Sequence, residues 1–276
     1  MPESSTSQRV PARGLLARPN RISGAALLLL STLAWVQLFG GGPSAASALP
    51  HAHALLSHVH GPAHVWGSHE LHLAFSMWLL MAVAMMLPTA APAILTFGDI
   101  ARAGPHDRSA ATRVGAFVLG YLLAWWGFGA LATGVQWGLA GAAVHVAAFS
   151  TPRPWLAGLL LTGAGIYQFS ALKDLCLRQC RSPLTFFLAH WRAGAGGATY
   201  LGLRHGMHCV GCCWALMALM LLGGAMSLAW TAALAVFMLF EKIAPAGRIV
   251  GRILGVALIV CGCALIASAL FPGELT

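Results

Sequence analysis

Acidic residues are nearly missing from this chain: seven Asp and Glu stand against sixteen Lys and Arg in 276 residues, and only 8% of residues are charged. A water-soluble domain carries about a quarter charged residues, so this composition excludes a soluble globule. Also missing are paired carboxylates, a Ser/His/Asp arrangement and a phosphate-binding loop. Hydrolysis and nucleotide-driven work, including an ATPase, therefore have no apparatus here. The apolar runs are much longer than strands and lack period-two alternation, which excludes a barrel. No internal repeat and no soluble domain stand out. The net charge of +9 does not describe a nucleic-acid surface, because the basic residues are dispersed among helix ends rather than gathered in a patch.

What is present is apolar: 58% of residues are hydrophobic. In hydrocarbon every backbone polar group must pair within the protein, so the expectation is an all-α, polytopic transmembrane bundle embedded in a lipid bilayer. A span needs about 20 apolar residues. Seven segments approach that length, at 22–40, 71–97, 113–139, 154–170, 206–224, 227–243 and 250–271. The fifth and sixth, joined by a short Gly-rich turn at Gly223-Gly224, are expected to form a tight antiparallel pair. With seven spans, every Lys and Arg except Arg153 falls on one side of the membrane. The positive-inside rule then gives a bacterial inner-membrane protein with a cytoplasmic N-terminus.

This divides the chain into a basic, disordered cytoplasmic tail (1–21), a first span or signal anchor (22–40), a His-rich extracytoplasmic loop (41–70) and a helical bundle (71–271). Small residues at Ala46-Ser-Ala48 also fit a signal-peptide cleavage site, and cleavage would leave six spans. Glycines in the third and fourth segments, among them Gly120, Gly158 and Gly165, favour close helix approach.

Five of the seven cysteines fall in two clusters. Cys176 and Cys180 stand one helical turn apart, and His205, Cys209 and Cys213 repeat that spacing with His208 and Cys212 beside them. Both clusters fall at the same boundary of the seven-span arrangement, so they can share one ion. Thiolates favour Cu(I), Zn or iron–sulfur centres, and copper is preferred over a closed tetrahedral zinc site because Cu(I) accepts two or three ligands. Cys261 and Cys263 are read as buried packing residues.

Secondary metal contacts are expected from two other places. The loop before the second segment holds His51, His53, His58, His60, His64 and His69, with His72 as the helix begins. A flexible imidazole-rich tract suits loose metal capture. The second segment places Met77, Met81 and Met85 on one face, and Pro88 and Pro92 are expected to kink it and free carbonyls. Gln168, Lys173, Asp174, Glu241 and Lys242 are read as interfacial residues that snorkel or pair.

Four blocks carry a family resemblance: Met81-Ala-Val-Ala-Met-Met-Leu-Pro88, Tyr167 to Pro183, Cys209-Val-Gly-Cys-Cys-Trp-Ala-Leu-Met217 and Glu241-Lys242. In that order they resemble the bacterial family described as predicted metal-binding integral membrane proteins, over about residues 70–245. The resemblance implies a multi-span protein with a metal site at the cysteine blocks; the His-rich loop lies outside it. The functional expectation is handling, transport or delivery of a soft metal to a metallochaperone or metalloprotein client. A membrane redox or electron-transfer protein using a cysteine dithiol is the alternative.

Overall fold

A computed structural model describes residues 18–39, 67–103, 109–141, 154–221 and 228–270. Among them all regular structure is helical. The elements are α1 (Arg18–Phe39), α2 (Ser68–Met81), a π-helical turn (Ala82–Met86), α3 (Leu87–Ala103), α4 (Ala110–Gly141), α5 (Pro154–Tyr167) and α6 (Ala171–Arg181). Then come α7 (Pro183–His190), α8 (Gly194–Ala218), a 3-10 turn (Leu219–Leu221), α9 (Leu228–Ile243) and α10 (Gly247–Leu270).

Seven spans are not supported. Among the described residues, three helices are long and apolar enough to cross a bilayer: Ser68–Ala103, Ala110–Gly138 and Gly247–Leu270. A fourth crossing arises only if α5 and α6, bent by 61° at their junction, count as one broken span. The reason is length and polarity. At 1.5 Å per residue, the 14 residues of α5 reach about 21 Å and the 16 of α9 about 24 Å, short of a core about 30 Å thick. The apolar part of α1, Ser23–Leu38, is likewise short. In α8, Arg204, His205 and His208 dilute the apolar run.

Local chemistry sets the boundaries. Glu70 reaches back to the Gly67 amide at 2.9 Å and starts α2. Ser170 caps α6 by accepting the Lys173 amide at 3.1 Å, and Pro183 opens α7 in the first turn, where its missing N–H costs nothing. Pro88 has no amide to donate back into the π-helical turn before it. Ser31 of α1 donates its hydroxyl to the Ala84 carbonyl of that turn at 2.9 Å. That carbonyl thus anchors a neighbouring helix.

Small residues decide which helices touch. A side-chain carbon added at Gly120 would collide with the Thr199 carbonyl, and one at Gly202 with the Phe117 carbonyl, so α4 and α8 lie backbone to backbone. A second such seam joins α5 to α10, where a carbon at Gly165 would come within 2.7 Å of the Gly255 carbonyl. Because its glycine face is committed to α4, α8 packs chiefly on α4 and α6 and only sparingly on α9. The expected tight pairing of the fifth and sixth segments is not formed. Outward faces are apolar: Leu28, Leu33 and Val36 on α1 and Ile249, Ile253, Val256 and Val260 on α10 are exposed. Cys261 and Cys263 belong to that outer surface and are exposed, not buried.

Candidate metal centre

Cys209 sits at the middle of α8, where the Gly202 and Gly206 face brings the helix against α4. Three elements converge on its sulfur. Tyr121 of α4 places its hydroxyl 3.0 Å from Cys209 Sγ and 2.8 Å from the Met86 carbonyl. Lys242 of α9 donates from Nζ to Cys209 Sγ at 2.9 Å and to Thr89 Oγ1 of α3 at 3.0 Å. Cys180 of α6 is a near neighbour of Cys209 and Cys212. One turn along α8, Cys213 Sγ approaches Met86 Sδ at 3.8 Å. Cys212 and Cys213 also donate to the Cys209 carbonyl, at 3.1 and 2.9 Å, which turns both thiols toward the same stripe.

The two cysteine clusters therefore meet. Cys176 packs on α8 at Gly211, where a side-chain carbon would stand 2.6 Å from its Sγ; only glycine lets α6 come this close. Tyr167 fastens the same point by donating to the Gly211 carbonyl. Cys176, Cys209, Cys212 and Cys213 are all buried, and Cys180 is half-buried.

Other expected residues lie elsewhere. His205 is buried one turn before Cys209, with its ring centroid 5.3 Å from Phe186 and 6.0 Å from Phe117. Its Nδ1 has no hydrogen-bond partner. His208 is half-buried and packs edge-on against Phe186 at 6.0 Å, sharing that ring with His190 at 5.2 Å. Met81 and Met85 are buried, yet Met86 is the thioether in contact with Cys213. The π-helical turn at Ala82–Met86 accounts for this, because one extra residue in the turn advances the side-chain register past the 3.6-residue spacing. His69 and His72 are exposed in the first turns of α2. His51, His53, His58, His60 and His64 lie outside the described residues.

Sequence reasoning missed Tyr121, Thr89, Met86 and above all Lys242. Glu241 and Lys242 are both buried within the protein, at 3% and 7% exposure, and do not snorkel. They are adjacent but face different partners. Glu241 forms an ion pair with Lys173 at 2.7 Å, and Gln168 accepts a further hydrogen bond from Lys173 Nζ. Lys242 instead enters the thiol cluster. The one sequence signal for it was Glu241-Lys242 in the resembling blocks.

Chemically, the pocket offers soft donors: thiols from Cys180, Cys209, Cys212 and Cys213 and a thioether from Met86. This set suits Cu(I) far better than hard cations, which take oxygen ligands. An ammonium beside Cys209 favours the nucleophilic, metal-binding thiolate. Among the described residues, no three or more His, Cys, Asp or Glu side chains are arranged as a ready cage for an ion.

A family model, PpoB2, described as copper chaperone, matches residues 75–265 and so takes in the whole thiol cluster. No curated protein and no solved structure matches the chain.

Proposed function

The chain belongs to the PpoB2 copper-chaperone family, and from that premise we propose that it is an integral membrane protein that carries Cu(I) on Cys209 and Cys213, assisted by Met86, and delivers it to a metalloprotein. The observation that carries this reading is the convergence of Lys242, Tyr121 and Cys180 on Cys209, with the Cys213–Met86 contact one turn away. It supports a buried sulfur pocket with a built-in positive charge. Cys180 and Cys212, next to that pair, supply the sulfurs through which an ion passes on or off. Cys176 supports them by setting the α6–α8 approach at Gly211. His205 and His208 border the pocket and orient its helix.

Residence in the bacterial inner membrane, with the N-terminus in the cytoplasm, is part of the proposal. The apolar outer faces of α1 and α10 support it: a helix as apolar as Gly247–Leu270, with 17% of its most apolar stretch buried inside the protein, needs lipid around it. The exposed imidazoles of His69 and His72, continuing the His-rich stretch before α2, serve as loose capture sites in this reading.

The test is metal content. Purified in detergent and loaded with Cu(I), the wild type retains copper through a desalting step, and Cys209→Ser with Cys213→Ser loses it. Equal retention by both proteins contradicts the proposal. A second reading, dithiol redox chemistry, draws on Cys180 lying within reach of two other thiols. Thiol trapping that recovers one reversible intramolecular disulfide in the metal-free protein would favour it.

A further inference from the structure

Among the described residues, the Lys242 ammonium has no carboxylate as a hydrogen-bond partner. Thr89 from α3 and Cys209 from α8 hold it, and Tyr121 from α4 stands on the far side of the same sulfur. On its own helix, the neighbouring Glu241 carboxylate is engaged by Lys173, at 2.7 Å to one oxygen and 2.9 Å to the other. With the residue 7% exposed, the charge is buried. A buried ammonium facing thiols, a phenol, a hydroxyl and a thioether must be balanced by sulfur.

We propose that Lys242 is a specificity-determining residue that restricts this pocket to monovalent soft ions. The inference rests on the copper-carrying reading above and adds the basis of its selectivity. Two thiolates around a monovalent ion carry one net negative charge, and the Lys242 ammonium cancels it. A divalent ion on the same two thiolates leaves one uncompensated positive charge in a buried pocket, where burying unpaired charge is costly. Relief would require a third anionic ligand. The remaining thiols of the cluster, Cys180 and Cys212, could supply it only by ionising in the same buried setting, a cost that a monovalent ion does not carry. Thr89 matters because it fixes Nζ at the sulfur, so the charge cannot swing aside to make room.

Ag(I) and Cd(II) are soft probes of the two charges. The experiment measures binding of each to the full chain in detergent by competition against a chelator, for wild type, Lys242→Met and Lys242→Arg. The wild type is expected to prefer Ag(I). In Lys242→Met the Ag(I)/Cd(II) affinity ratio is expected to fall by roughly two decades, the scale set by one unit charge a few ångströms away at intermediate dielectric. Lys242→Arg, which keeps the charge, is expected to retain most of the preference. If Lys242→Met does not fold, Lys242→Gln removes the charge and keeps a hydrogen-bond donor for Thr89. An unchanged ratio in the folded charge-removing variant, with Ag(I) still bound, overturns this inference and leaves the copper reading standing. Failure of the wild type to bind Ag(I) overturns both.

Discussion

Replacing Glu241 by Gln removes the anion of the best-buried ion pair among the described residues. Lys173 and Glu241 side chains are 3% and 4% exposed, and Lys173 Nζ lies 2.7 and 2.9 Å from the two carboxylate oxygens. The pair ties α6 to α9, and Arg181 reinforces it by donating to the Glu241 carbonyl at 2.6 Å. Breaking such a pair from one side strands a buried charge and costs about 3–5 kcal/mol. For a chain of this size about 1 kcal/mol moves the unfolding midpoint by roughly 2–4 °C, so the expected fall is about 6–20 °C. Thermal unfolding of the detergent-solubilised protein, followed by circular dichroism, measures it. Lys173→Met combined with Glu241→Gln should recover much of the loss, since no charge is then stranded. The exposed Asp99–Arg102 pair serves as a control: its side chains are 42% and 21% exposed, and Arg102→Gln should cost under about 1 kcal/mol. A loss of less than about 1 kcal/mol for Glu241→Gln would refute the reasoning, because a buried lysine cannot give up this carboxylate so cheaply.

Gly202→Val should force α8 away from α4, because a carbon at that position already meets the Phe117 carbonyl; cysteine accessibility to an alkylating reagent is expected to rise at Cys209 while Cys261, exposed in both forms, reacts as before. Ser31→Ala leaves the buried Ala84 carbonyl without its donor and should cost about 1–3 kcal/mol in thermal unfolding. Met86→Leu keeps the volume and removes the thioether beside Cys213; Cu(I) affinity is expected to fall about tenfold, one 1.4 kcal/mol step, with little change in stability, measured by chelator competition. His205→Phe removes a buried ring nitrogen that has no partner, and the metal-free protein should unfold a few degrees higher.

The helical class and the one-turn spacing within each cysteine cluster were legible in the chain. Their warrant was local: such spacing puts Cys209 and Cys213 on one face whatever the tertiary fold, and no barrel could be built from such runs. The meeting of the two clusters was expected from a shared boundary of seven spans, which the helices do not support; it comes instead from the approach of α6 to α8 at Gly211. The span count was not legible in the same way. Apolar runs in α5 and α9 are real, but hydropathy does not report that the first bends by 61° into α6 or that the second stops at a buried Lys242. Lys242 was read as a snorkelling or paired side chain because a lysine near a helix end usually snorkels, and its setting among thiols depends on α3, α4 and α8 arriving from distant parts of the chain. Met86 was passed over for Met81 and Met85 because a 3.6-residue wheel has no place for the π-helical turn. Met207 and Cys263 mark the opposite limit: residue types that suit a core stand exposed on the outer surface.

Copper K-edge X-ray absorption of the Cu(I)-loaded protein tests the central claim most directly, because it counts the atoms around the ion. Two thiolates and the Met86 thioether give a shell of about two to three sulfur neighbours with no nitrogen, reduced or abolished in Cys209→Ser. A shell dominated by nitrogen or oxygen, or a spectrum unchanged by Cys209→Ser, would place the ion elsewhere and contradict the account.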